Sequence, residues 1–294
     1  MTKENSEASP HGDQSAAVVS AWSAGFPVPR LAAVRIASAG HGAFAAILIA
    51  VGVWGLARGG FVGIWDSVPH AAPLREALAY LCAVVSLAGG LGLLWRPSAA
   101  SAARVLFAYL LAWLVLVKLP YILRTPLVAV NYESSGETAV IVAGAWVLYV
   151  WLAGSWDRRR LGFVADERGV RLARRLYGLA LVAFGASHFA YLQLTASLVP
   201  AWLPAHVVWA YFTGSAYVAA GAAVLIGVWA QLAATLSAVQ MGLFTLLVWV
   251  PAVAAGRADL GQWSELAVSA ALTAGGWVVA ESYRGARGLA VARR

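Results

Sequence analysis

His188 and His206 flank the stretch SHFAYLQLTASLVPAWLPAHVVWAYFTG at 187–214, which also holds Pro200, Pro204 and a concentration of aromatic rings. Imidazoles are scarce in apolar sequence because an ionisable group placed in hydrocarbon is costly, so those retained face a cavity or pair inside a bundle. His206, Trp209, Thr213 and Tyr217 recur at spacings of three and four and share one helix face. Further along, Gln240 stands mid-way through an apolar run, and Glu265, Ser269 and Thr273 repeat every fourth residue. A lone amide in hydrocarbon needs a partner across a helix interface. The cavity-lining candidates are therefore His188, His206, Trp209, Thr213, Gln240, Glu265 and Ser269. The chemistry open to them is hydrogen bonding to the polar end of an apolar ligand, with Glu265 able to relay protons.

Each candidate also has a plain structural reading. His188 stands open between lining a cavity and bonding two helices together. His206 lies nearer water and suits interface anchoring. Trp202, Trp209, Tyr211 and Trp249 read as belt and packing residues. Glu265 near a helix start is favoured there by the helix dipole. A metal bound by His188, His206 and Glu265 lacks HExxH or clustered ligand spacing, so no metal site is assigned. His41, His70, His188 and His206 do not form a facing mid-membrane pair, which leaves haem unsupported. The single cysteine, Cys82, excludes an internal disulfide or CxxC redox pair.

The elements that must hold these residues are transmembrane helices. Of 294 residues, 61% are hydrophobic and only 12% charged, against about 25% charged in soluble domains. Apolar runs fall near 31–57, 75–95, 99–119, 137–154, 173–192, 206–227, 230–250 and 262–281. Unpaired backbone groups in lipid require helices, and the runs do not alternate as barrel strands do. The expected fold is an all-α polytopic membrane protein of eight transmembrane helices, arranged as two tandem four-helix bundles. Residues 1–30 read as a disordered cytoplasmic tail, 31–155 as the first repeat, 156–171 as a basic linker, 172–283 as the second repeat and 284–294 as a basic tail.

Charge orients the bundle. Arg58, Arg75, Lys118, Arg124 and Arg257 fall on one side of the eight-span topology, and the other 16 of the 21 basic residues fall on the opposite side. The positive-inside rule then puts both termini in the cytoplasm. The net charge of +8 is explained by topology, and no basic patch points to nucleic acid. Arginine in excess of lysine suits a bacterial plasma membrane. The halves share landmarks: Pro69, AGG at 88–90, KLP ending at Pro120 and Glu137 opening the fourth helix, against Pro204, AAGA at 219–222, WVP ending at Pro251 and Glu265 opening the eighth. Repeats of even span number are parallel. The first half has Val53 or Trp54 near the His188 position, and His70 after Pro69, and reads as a scaffold copy.

SHF at 187–189, LVPAWLP at 198–204, HVVWAYFTG at 206–214, AAGA at 219–222 and QWSE at 262–265 resemble the DoxX-like family of small four-helix membrane proteins. The resemblance covers 172–283, with a fainter version over 30–155. It implies a quinone-proximal or oxidoreductase-associated membrane subunit, more an accessory than a self-sufficient enzyme. Quinone is the cofactor implied, and the partners are the lipid bilayer and membrane oxidoreductase subunits. The competing expectations are a non-catalytic carrier of a small lipophilic or anionic solute, and a membrane assembly protein.

Overall fold

The structure is a computed structural model that describes residues 36–65, 68–69, 72–256 and 259–284. The expected tail at 1–30 and all but Arg284 of that at 284–294, together with His70 and Arg257, lie outside the described residues.

Among the described residues each apolar run is largely helical, the first from Ala39 onward, and there is no strand. The long helices are α1 (Ala39–Arg58), α2 (Arg75–Leu94), α3 (Ala99–Arg124), α4 (Ala129–Leu152), α5 (Glu167–Ala190), α6 (His206–Ile226), α7 (Ala230–Ala254) and α8 (Leu260–Glu281). Six of these, all but α5 and α8, are long and apolar enough to cross a membrane. α5 opens with Glu167, Arg168, Arg171, Arg174 and Arg175, and α8 carries Gln262, Glu265 and a run of small residues. Both have the length for a span and fall short in composition.

Local chemistry sets the ends. Ser38 accepts from the His41 amide at the start of α1, which closes on Gly59 at φ 66°. Asp166 accepts from the Arg168 amide to start α5. Asp259 and Gln262 form a reciprocal capping box at the start of α8. Consequently α8 begins five residues before Glu265, and α4 begins at Ala129, well before Glu137. Neither glutamate opens its helix, contrary to expectation; each lies at least one turn inside.

α3 and α7 are interrupted alike. Fifteen α-helical residues are followed by a five-residue π-helical segment, Leu114–Lys118 in one and Thr245–Trp249 in the other. Pro120 and Pro251 each stand two positions beyond. A proline inside a helix has no N–H to offer and crowds the carbonyl four residues back, and a widened turn relieves that conflict.

α4 is the central helix, with 78% of its best 18-residue window buried against 17% for α7. Its stretch from Ala139 to Val150 is apolar on every side and almost wholly buried, and the helix packs on α3, α5 and α8. α8 in turn packs on α1, α4 and α7. The last helix of each half thus lies against the first helix of the other half, so the halves interlock rather than stand as two separate bundles. At the α4–α8 crossing a Cβ built on Gly144 would lie 2.7 Å from the Gly275 Cα. Small residues there let the two backbones touch.

The basic region at 156–171 is folded. Short helices Ser155–Arg160 and Gly162–Ala165 lie against the bundle. Asp157, 2% exposed, accepts from Arg104 Nη1 at 2.8 Å, from the Tyr149 hydroxyl at 3.2 Å and from the Gly154 amide at 3.1 Å. Trp146 Nε1 donates to the Val164 carbonyl at 2.9 Å.

Candidate functional site

α5, α6 and α7 bring three of the predicted residues into one polar chain. His188, one turn from the C-terminal end of α5, has its Nδ1 2.8 Å from the Phe184 carbonyl. A carbonyl only accepts, so Nδ1 carries the hydrogen and the neutral ring keeps a lone pair on Nε2. That Nε2 is shielded from solvent and has no hydrogen-bond partner. The imidazole meets Tyr217 of α6 edge-on, with centroids 5.4 Å apart, and Tyr217 meets Phe184 in the same way at 5.7 Å. Tyr217 is hydrogen-bonded to Gln240, whose Nε2 also donates to the Thr213 carbonyl at 3.1 Å. The amide therefore finds its partner across the α6–α7 interface. Close approach of α5 and α6 makes this possible: a Cβ on Gly214 would lie 2.9 Å from the His188 Cβ.

The other four predicted residues make their contacts elsewhere. His206 is the first residue of α6 and Tyr217 lies eleven positions on, about 16 Å along the axis at the α-helical rise. Sharing a face is not sharing a height. Trp209 is 39% exposed and turns its ring edge to Phe212 at 5.8 Å. Glu265 is exposed on α8, in electrostatic reach of Glu133 on α4. Ser269 is buried in a hydroxyl cluster with Thr245 at 2.7 Å, and Thr245 also lies 3.2 Å from Thr273. α8 packs mainly on α1, α4 and α7 and only slightly on α5. Among the described residues no three His, Cys, Asp or Glu side chains stand together as metal ligands.

Two participants were not chosen from the sequence. Tyr217 was visible as the last member of the His206 face, yet its role as the link between His188 and Gln240 depends on how α5 and α7 are placed. Lys118 read as an outer-rim cation; it is 5% exposed and donates to Ser134 Oγ at 2.6 Å. It closes the π-helical segment of α3, and that wide turn rotates it towards α4. A lysine in an apolar run just before a proline was the available signal.

His41 is enclosed and satisfied: the Ala37 amide donates to its Nδ1 at 3.0 Å, and its Nε2 donates to the Leu93 carbonyl at 3.2 Å. In the first half the space between helices is filled by rings. Trp65, 1% exposed, donates to Ser86 Oγ at 2.7 Å and packs edge-on to Tyr109 and Trp113.

No family model, curated protein or solved structure matches this chain.

Proposed function

We propose that this protein is an integral membrane subunit that binds an apolar ring ligand bearing a hydroxyl group, of the quinol type, at His188 between α5, α6 and α7. The observation that carries this reading is the partnerless, solvent-shielded Nε2 of His188 beside Tyr217 and Gln240. A buried acceptor without a donor costs about 1–3 kcal/mol, which a hydroxyl donor recovers. The tautomer sets the selectivity: neutral His188 accepts from a quinol hydroxyl, whereas a quinone carbonyl, itself an acceptor, has nothing to pair with. An accessory role beside a membrane oxidoreductase, in keeping with the DoxX-like motifs, follows from this reading. Binding of reduced and oxidised quinone analogues to wild type and His188→Ala tests it. The wild type should prefer the reduced analogue, and the substitution should remove that preference with a roughly tenfold loss of affinity, near the top of the range for one net hydrogen bond. Equal binding of both forms by the wild type, or unchanged binding by the variant, overturns it.

Duplication of a four-helix unit is part of the same proposal. α2, α3 and α4 begin at 75, 99 and 129, and α6, α7 and α8 begin at 206, 230 and 260, a constant offset. The same offset relates Leu74 to Ala205, both at φ 56°, Pro120 to Pro251 and Gly144 to Gly275. We place both termini in the cytoplasm of a bacterial plasma membrane on the asymmetry of basic residues. A cysteine introduced at Leu127, 96% exposed, should react with an impermeant maleimide outside intact cells. One introduced at Arg159 should not, and the reverse pattern inverts the topology.

A further inference from the structure

Between α1 and α8 runs a groove of ≈ 570 Å³, within the range of small-molecule sites. Ala50, Trp54 and Arg58 form one wall, and Trp263, Ala267 and Ala270 the other. Each trio recurs every three or four residues, so the groove follows both helices, and small residues leave it open at depth. Apart from Arg58, every side chain lining it is apolar or tryptophan.

The offset above relates this groove to the α4–α5 contact, where the helices lie close. There a Cβ on Gly136 would already lie 3.1 Å from the Phe184 ring, and the two helices close on each other. At the α1–α8 contact the 3-10 turn Gly63–Trp65 is interposed. The Gly63 amide donates to Ser264 Oγ at 3.4 Å, and a Cβ on Gly63 would lie 3.1 Å from the Ala267 Cβ. The turn holds α8 away from α1 and keeps the space beneath it.

At one end of the groove the chemistry changes. Arg58, the last residue of α1, is exposed and makes no ion pair among the described residues. Beside it Trp54 and Trp263 meet edge-on, with centroids 6.4 Å apart. Tryptophans mark the headgroup level of a bilayer, and arginine matches phosphate oxygens with a fork of donors. An apolar channel that ends in a cation at headgroup depth is complementary to an acyl chain joined to a phosphate.

We infer that the α1–α8 groove holds one acyl chain of an anionic phospholipid from the surrounding leaflet, its phosphate seated on Arg58. The site is separate from His188 and does not depend on it.

The test is native mass spectrometry of the full chain equilibrated in mixed micelles with equimolar phosphatidylglycerol and phosphatidylcholine. The wild type should retain one lipid, predominantly phosphatidylglycerol. Arg58→Gln, a surface change that leaves packing intact, should reduce the preference about fivefold, the effect of one basic residue near an anionic headgroup. Ala270→Phe should fill the groove and release lipid of either headgroup, while Arg124→Gln, an exposed arginine on α3, and His188→Ala should change nothing. An unaltered preference in Arg58→Gln, an equal loss in Arg124→Gln, or continued one-to-one retention by Ala270→Phe overturns the assignment.

Discussion

Replacing Gly144 by leucine probes a contact at which α4 and α8 meet backbone to backbone. A Cβ at 144 would stand 2.7 Å from the Gly275 Cα and 3.0 Å from its carbonyl oxygen, well inside the 3.5–4.0 Å of an ordinary carbon contact. The obstacle is main chain, so no rotamer change relieves it; α4 and α8 must separate by about 1 Å or more. α4 is also enclosed by α3 and α5, so the shift propagates into Val140, Val147 and Leu148, all at most 1% exposed. Overpacking costs about 1–3 kcal/mol, and against main chain that cannot yield the cost lies at the top of that range, about 3 kcal/mol. Removing a mid-helix glycine returns about 1 kcal/mol of helix propensity. The net loss is then about 2 kcal/mol, or a Tm lower by about 4–8 °C for a chain of this size. The control is Gly162→Ala, where a Cβ meets nothing within 4 Å and Tm should hold or rise. Thermal unfolding in detergent, followed by circular dichroism, reads both. A Gly144→Leu variant that melts within about 1 °C of wild type would show that the helices do not cross at these glycines.

Arg104→Gln should destabilise by about 3 kcal/mol or more, because it strips the charged partner from buried Asp157 and leaves the carboxylate with only Tyr149 and Gly154; denaturant titration gives the number, and the double variant with Asp157→Asn should recover part of it. Ser86→Ala leaves the Trp65 N–H without its acceptor in a buried site and should cost about 1–3 kcal/mol; an unchanged Tm argues against that bond. Cys82, 1% exposed, should resist maleimide in the folded protein and react once denatured, and rapid labelling of native protein would contradict the packing of α2.

Helix content and the long apolar runs were legible because each depends on local facts: side-chain polarity and the reach of a helix. Pro120 and Pro251 marked equivalent disturbances, although their expression as π-helical turns was not predicted. Helix starts were misplaced where apolarity was taken as the signal. Asp259 with Gln262 is a capping box readable in the sequence, and it sets the start of α8 ahead of Glu265. His188, Gln240 and Thr213 come together around Tyr217, since polar groups buried in an apolar chain must find one another.

Glu265 and Ser269 were grouped with them for the same reason, and it did not suffice. Periodicity places a residue on a face of its own helix and says nothing about which neighbour that face meets. Polarity and spacing therefore determined by themselves that this chain is helical, with helices long and apolar enough to cross a membrane and few polar groups among them. Which of those groups share a site, why Lys118 is buried, and where a groove opens were decided by the interlocking of α4 with α5 and of α8 with α1. Those contacts join residues more than a hundred positions apart in the case of α1 and α8, and helix pairing at that range depends on glycine-scale fit between whole surfaces, which no local pattern records.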